Sequence, residues 1–433
     1  AQVRLDWTDP SASAIMELLQ HLLSLPQLLA VVVWVPVAFL VHTALLLLNV
    51  VQSPKPRIVD LRGCVCLVTG SNTGIGLRTA VALLKCGATV VFACRSRSRA
   101  QAAMDAALLE AKSSSEWAAE AAEARFMELD LSSLASVRSF VRAFRAAYTS
   151  LDVCVLNAGL NTGGETVDGL DQRWQVNYLG HWLVAKELFP LLCQSARGAR
   201  VVCLSSVMHW FGSAAHFTDH CRRGSAANAN QSVYADSKLA MNYLALELQR
   251  RFEAAKEEGQ HQQHHQAVAV NPGAVASDIW RGVPALLRRF ALDPIMALIF
   301  LTPDEGSATS FHAATQPLDP IVPAAAGGVG GVGGGGGAST HTPYFVPYFV
   351  PFGLSLTGEC LGPFAGVRQS RQNLPRRGAS NTAAALWNVS EKSVTDLLAR
   401  TTTEDGNDDA NGGNCSSEDV QLVESVAAAR HRR

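Results

Sequence analysis

From about Leu61 onward, apolar stretches of strand length alternate with segments whose apolar residues recur at helical spacing, and each stretch closes on a glycine or a polar turn. CVCLVTG, ATVVFACR, ARFMELDL, LDVCVLNAG, ARVVCLSS and QAVAVNPG read as six buried strands, because strands covered on both faces are continuous apolar runs. Strands alternating with helices are the mark of βαβ units. The pattern therefore predicts an α/β fold, a doubly wound parallel sheet with ligands at the carboxyl ends of its strands.

Upstream, Leu28 to Val51 is an uncharged apolar run, LLAVVVWVPVAFLVHTALLLLNVV. As a helix it would be roughly 36 Å long, more than the ~30 Å of hydrocarbon in a bilayer. It is expected to anchor the chain in a membrane, since a helix without a polar stripe has no face to turn to water. A secretory leader has a shorter apolar region and a small-residue cleavage site. Pro36 leaves two forms open, a spanning helix and a re-entrant hairpin. Lys55, Arg57 and Arg62 follow the run and only Arg4 precedes it. That bias places everything after residue 52 on the cytosolic side, and leaves the endoplasmic reticulum or another organelle surface open as the membrane. The chain begins with Ala, so its N-terminus is expected to be processed or incomplete.

The 433 residues suffice for one large α/β domain with additions. The expected division is an N-terminal segment 1–27, the anchor 28–51, the main domain 58–322, a Gly/Ala-rich insertion 323–340, an extension 341–400 that completes the domain, and a disordered tail 401–433. PYFVPYFVP, whose prolines forbid a regular helix, is expected to be either an aromatic lid or a packed loop. Charged residues make up 17% and the formal net charge is -1, which excludes a nucleic-acid footprint. The ten cysteines are scattered without paired CxxC groups, so neither a disulfide framework nor a zinc site is expected, and a reducing compartment fits. His261, His264 and His265 lie in a polar loop with no second cluster, and no metal site is expected there.

The first strand runs into Thr69-Gly70-Ser71-Asn72-Thr73-Gly74-Ile75-Gly76, followed by a helix with apolar spacing. Glycines there allow a tight turn and let backbone N–H groups approach a pyrophosphate at the helix N-terminus, the Rossmann-type arrangement. The second strand ends at Ala93-Cys94-Arg95, where an NAD enzyme would place a carboxylate against the ribose hydroxyl. Arg95 instead suits a 2′-phosphate, which favours NADP(H). Tyr234 and Lys238 are four apart on a predicted helix, so they share one face. A phenol is a poor base at neutral pH, and an adjacent ammonium favours its phenolate.

In order and at sensible intervals, TGSNTGIG, Asp130-Leu131, Leu156-Asn157-Ala158-Gly159, VNYLGHWLV, Ser205-Ser206, YADSK and NPGAVASDI resemble the motifs of the short-chain dehydrogenase/reductase family, most closely its retinol-dehydrogenase-like branch. The resemblance runs from about Leu61 to Leu318, and LWNVS around Trp387 is similar to the branch's C-terminal segment. It implies that Tyr234 is the general acid/base and that Lys238 lowers its pKa and holds the nicotinamide ribose. Ser206 would bind the substrate oxygen and Asn177 the water that relays protons to Lys238. On the cofactor side it implies contacts from Gly70 to Gly76, from Asp130 and Leu131 near adenine, from Asn157, Ala158 and Gly159, and from Pro272, Gly273, Val275 and Ser277 around the nicotinamide.

Three positions depart from the family pattern: Leu156 stands where asparagine is usual, Ser277 where threonine is common, and the Ser206–Tyr234 interval is long, which leaves Ser205 and Ser206 both open as the catalytic serine. Val283 to Leu301 is an apolar segment where the family places substrate-covering helices. Together with the anchor it points to a lipophilic small-molecule substrate of retinoid, steroid, prenyl or fatty type, and a homodimer is left open. The competing readings are a catalytically inactive nucleotide-binding scaffold on a membrane and a soluble reductase whose apolar segment is removed.

Overall fold

The computed structural model describes residues 58–228, 232–261, 263–273, 275, 301–315, 344–347, 367–370 and 379–404. The anchor run 28–51, the Gly/Ala tract 323–340 and nearly all of the segment 283–301 lie outside them. Among the described residues, no helix is long and apolar enough to cross a membrane.

The six strands expected from the apolar runs form β1 (Val65–Thr69), β2 (Thr89–Cys94), β3 (Glu123–Glu128), β4 (Val153–Leu156), β5 (Arg200–Leu204) and β6 (Gln266–Val270). Two more follow, β7 (Tyr344–Pro347) and β8 (Val367–Ser370). The sheet order is β3-β2-β1-β4-β5-β6-β7-β8. Neighbours from β3 to β7 are parallel and β8 is antiparallel to β7. Strand order reverses between β1 and β4, and a crevice opens there beyond the carboxyl ends of the strands.

β1, β2, β4, β5 and β6 are buried along nearly their whole length, as continuous apolar runs require. β3 departs from expectation, with Glu123, Arg125 and Glu128 exposed. Among the described residues it is an edge strand paired to β2 alone, so half of its residues face water and the charges there discourage further pairing. Four residues of the proline-bounded aromatic segment, expected as a lid or loop, instead pair as β7, with Ala269 opposite Tyr344 and Val270 opposite Phe345. Pro347 sits at the strand end, where a missing N–H interrupts no interior ladder position.

Helices α1 (Gly74–Lys85), α2 (Arg97–Ser114), α3 (Glu116–Ala121) and α4 (Leu134–Ala147) are followed by α5 (Gly180–Cys193), α6 (Val233–Glu257), α7 (Pro303–Thr315) and α8 (Ala379–Glu404). One face of the sheet carries a core built with α4, α5, α6 and α8, including Phe144, Trp182, Leu188, Leu244 and Trp387. The other packs against α1, α2 and α7 through Leu83, Leu84, Met104 and Phe311. Trp387 of α8 lies 5.3 Å from the Trp182 ring and under the Arg251 guanidinium at 3.8 Å, while Tyr178 and Ser390 share a 2.8 Å hydrogen bond between their hydroxyls. α8 continues to Glu404, so the tail expected from 401 begins with helix. The eight described cysteines are buried free thiols.

Candidate active site

The chain leaves β1 through Gly70 and enters α1 at Gly74, both with positive φ (64° and 57°). Thr73 caps α1 in an extended conformation, and its side chain makes no capping bond to the first turn. At Gly76 a Cβ would stand 2.4 Å from Asn157 Nδ2 and 2.5 Å from the Gly70 carbonyl oxygen. The turn is therefore closed so tightly on the end of β4 that only hydrogen fits. Asn157 Nδ2 donates to the Thr69 and Gly70 carbonyls at 2.8 and 3.4 Å and so ties the two strand ends together. This cradle fits a pyrophosphate approached by backbone N–H groups at a helix N-terminus.

Around it, Ser71 is buried with its Oγ 3.4 Å from Cys94 Sγ, and Asn72, Thr73 and Ile75 complete the turn. Arg95 is exposed just past β2. Asp130 is half-buried and accepts from the backbone and hydroxyl of Ser132 at 2.9 and 2.6 Å, while Leu131 packs against Gly180. Ala158 and Gly159 follow β4. Past β6, Gly273 has φ 85° and its N–H bonds Asn271 Oδ1 at 3.0 Å, Pro272 beside it is buried, and Val275 bridges to Leu301. Ser277 lies outside the described residues.

Tyr234 and Lys238 emerge from the first turns of α6 toward this crevice, with Lys238 Nζ 5.8 Å from the centre of the Tyr234 ring. Lys238 is buried and donates to the Leu204 carbonyl at the end of β5, at 3.2 Å. The two adjacent serines separate cleanly. Ser205 is committed to the Lys238 carbonyl at 2.8 Å, whereas Ser206 is the serine close enough to Tyr234 to act on its phenol. The hydroxyl beside the phenol thus belongs to Ser206.

The electrostatics differ from the expected lowering of the phenol by its neighbour. Burial pushes the Tyr234 phenol up to about 12, moderated by its bond with Ser206, and brings Lys238 down to about 8. Each charged form loses water on burial, and that loss sets the direction of both shifts.

Asn177 sits in a π-helical turn (Gln175–Leu179) that leads into α5. Its side chain clasps the main chain of Leu160, accepting from the N–H at 2.8 Å and donating to the carbonyl at 3.0 Å, and donates to Ser237 Oγ at 3.0 Å. A Cβ on Gly159 would stand 3.4 Å from Asn177 Oδ1 and 3.3 Å from Lys238 Nζ, so both groups flank one point beside that glycine.

His181 was not singled out by the sequence. Its Nδ1 lies 3.1 Å from the Asn177 carbonyl oxygen and its Nε2 2.9 Å from Thr69 Oγ1. A carbonyl only accepts, so Nδ1 carries the proton and Nε2 accepts from the Thr69 hydroxyl. That hydroxyl in turn accepts from the Asn157 and Ala158 N–H groups at 2.9 and 3.0 Å. One neutral imidazole therefore joins the π turn to the glycine cradle. The available signal was its place four residues after Asn177, as an ionisable group in the apolar stretch LGHWLV.

Burial pushes His181 down to about 4 from 6.5, with Lys238 adding a smaller push in the same direction. Between those values the unfolded chain takes up a proton that the folded state refuses. Stability present above pH 6.5 is thus lost as pH falls through 4, by about 3 kcal/mol for this residue. His209 and His265 are also held near 4 by burial. In urea midpoints measured from pH 7 to 4, His181→Gln is expected to flatten the acid limb while retaining their share. An unchanged slope would rule out the neutral clamp.

A doubly wound sheet with a glycine cradle at its switch point, and a tyrosine and a lysine one helical turn apart beside it, defines a short-chain dehydrogenase/reductase architecture. The family model for short chain dehydrogenase matches residues 64–218. Bovine dehydrogenase/reductase SDR family member 13 is 38% identical over 272 residues, covering 62% of this chain and 67% of the relative. Mouse polyprenol dehydrogenase is 36% identical over 267 residues, with 60% and 74% covered, and human retinol dehydrogenase 14 is 34% identical over 288, with 60% and 80%. Among solved structures, an uncharacterised protein of Mycobacterium paratuberculosis superimposes with a TM-score of 0.51 at 25% identity, covering 80% of this chain and 97% of that one. The chain belongs to the short-chain dehydrogenase/reductase family of oxidoreductases, in its retinol-dehydrogenase-like branch.

Proposed function

We propose that this protein is a membrane-anchored, NADP(H)-dependent oxidoreductase that interconverts a lipophilic alcohol with its aldehyde or ketone. The observation that carries the proposal is the convergence of Tyr234, Lys238 and Ser206 at the carboxyl edge of the sheet, beside a turn that a single methyl group at Gly76 would block.

Bound along that edge, a dinucleotide would supply or accept the hydride. Gly70 to Gly76 would hold its pyrophosphate, Asp130 and Leu131 the adenine, Asn157 to Gly159 the adenosine ribose, and Pro272, Gly273 and Val275 the nicotinamide amide. Arg95 would pair with the 2′-phosphate. Ser206 and Tyr234 donate hydrogen bonds to the substrate oxygen, and in reduction the Tyr234 Oη proton passes to it. Lys238 stabilises the phenolate left behind, and Asn177 belongs to the path that returns a proton from solvent. A non-catalytic scaffold has no use for all four groups together.

Two supports favour a lipophilic substrate. The run 28–51 is an uncharged stretch of bilayer length, and Lys55, Arg57 and Arg62 behind it favour a cytosolic catalytic domain. The mouse and human relatives are named for polyprenol and retinol. We further propose that 58–322 and 341–400 make one domain, since α8 contributes Leu386 and Trp387 to the same core as α5 and α6.

The test is turnover by membrane fractions holding the full chain, followed by NADPH and NADH absorbance, with retinoid, prenyl, steroid and fatty carbonyls against small sugars. Activity is expected with a lipid carbonyl and NADPH. Arg95→Ser should raise KM for NADPH by about 10- to 100-fold and leave NADH nearly unaffected, as loss of a charge-assisted contact of about 1.5–3 kcal/mol implies. A preference for sugars would remove the lipid assignment, and equal use of both cofactors by the wild type would remove the role given to Arg95.

A further inference from the structure

On the far side of α6 from the crevice, a second group of side chains converges that the proposed reaction does not use. His216 Nδ1 and His220 Nε2 lie 3.0 and 2.8 Å from the same carboxylate oxygen, Asp236 Oδ2. These three atoms all lie within 4.8 Å of one another. The imidazole ring centres are 6.0 Å apart and their planes are inclined at 75°, so they present their nitrogens to the oxygen from different directions. We propose that His216, His220 and Asp236 bind one divalent transition-metal ion of the zinc class, which pins Ser213–His220 to the first turn of α6.

The donor set decides the class of ion. Two imidazole nitrogens and one carboxylate oxygen suit zinc and its neighbours, whereas calcium and magnesium take oxygen ligands. Tetrahedral zinc with bonds of about 2.0–2.2 Å sets its ligand atoms about 3.3 Å apart. The imidazole nitrogens need to part from the oxygen by about half an ångström, and, standing within 4.8 Å of each other, to close toward the same spacing. In the ion-free arrangement they hydrogen-bond the carboxylate, and loading moves each proton to the other ring nitrogen.

The surroundings are those of a prepared site. Asp236 is fully buried, and among the described residues its ion pairs are with the two imidazoles alone, so no lysine or arginine balances its charge. Ser213 N–H fixes its other oxygen at 2.7 Å and Ser232 Oγ reaches Oδ2 at 3.1 Å, the supporting bonds that orient a ligand carboxylate. His220 is held by the Trp174 ring 4.9 Å away. His216 is 44% exposed, which leaves entry for the ion and a fourth position for water.

The histidine loop at 261–265 is the natural competitor. His265 Nδ1 accepts from the Ala199 N–H at 2.7 Å, so its proton sits on Nε2 and the ring has no lone pair left to give. Only His261 and His264 remain there as donors.

The experiment uses tag-free full-length protein, stripped with chelator and titrated with zinc ion alone by calorimetry. We expect one zinc per chain at micromolar affinity or tighter, and a melting temperature raised by about 5 °C in excess zinc. His216→Ala, at an exposed position that leaves the fold intact, and His220→Gln should each weaken binding by at least about tenfold. The double variant His261→Asn/His264→Asn should bind as the wild type does. Cobalt in place of zinc should give the intense visible bands of four-coordinate geometry. No binding by the wild type, unchanged binding by His216→Ala and His220→Gln, or loss of binding in the loop variant would each overturn the site. None of these readouts depends on NADPH or a carbonyl, so failure here leaves the proposed reaction standing.

Discussion

Tyr234→Phe is expected to lower turnover by about a thousandfold or more while leaving NADPH affinity within about twofold of wild type. Two losses combine. The substrate oxygen loses a hydrogen-bond donor where charge develops, worth about 3–4 kcal/mol in barrier, and it loses its proton source. The fold should tolerate the change, because the phenol is only half-buried at the crevice and phenylalanine keeps the ring. Cofactor binding is followed by quenching of intrinsic fluorescence, and turnover by NADPH absorbance. Turnover near the wild-type rate in a variant that still binds NADPH would remove the proposed chemistry. Loss of both would place the defect in folding, which the thermal midpoint reads separately.

Gly76→Ala should nearly abolish cofactor binding. Its methyl group would sit 2.4 Å from Asn157 Nδ2 and 2.5 Å from the Gly70 oxygen, and neither neighbour can retreat cheaply. The amide is bonded to the Thr69 and Gly70 carbonyls, and the Gly70 oxygen is main chain in a turn whose N–H is fixed to the Ala93 carbonyl at 2.9 Å. Relief requires the cradle to open, which misaligns the backbone N–H groups offered to the pyrophosphate. Affinity for NADPH should fall by about 100-fold or more, with about 1–3 kcal/mol of stability lost to overpacking. Gly259 is the control. It has a positive φ of 75° but its added Cβ would meet nothing within 4 Å, so Gly259→Asn should leave NADPH affinity unchanged. Wild-type affinity in Gly76→Ala would show that the ligand does not use this turn.

How legible each feature was follows from the range of the forces that set it. β1, β2, β4, β5 and β6 were readable because burial on both faces writes an unbroken apolar run into each. β3 was readable as a strand but not as an edge, since its neighbours are decided by topology. β7 was hidden: Tyr344–Pro347 lies between prolines, and only its pairing to β6 makes it a strand. In the site, Tyr234 and Lys238 follow from a local four-residue spacing. The choice of Ser206 over Ser205 does not, because it depends on which hydroxyl the Lys238 carbonyl captures. The His181 clamp reaches Thr69 across 112 positions and so carries no recognisable interval, whereas His216 and His220 are a readable four apart and only their meeting with Asp236, 16 residues further on, depends on the fold. The pKa of the phenol is not legible either, because it depends on how far the fold desolvates Tyr234 and Lys238.

Helix α8 stands near the end of the chain, yet Trp387 lies between Trp182 and Arg251, and Ser390 satisfies the buried Tyr178 hydroxyl. During synthesis, every strand of the sheet leaves the ribosome before the helix that covers this side. The nascent domain must therefore leave these faces of Trp182 and Tyr178 uncovered until α8 itself has been made. A chain cut short before Ala379 would carry the whole cofactor cradle and still present a raw aromatic surface to quality control.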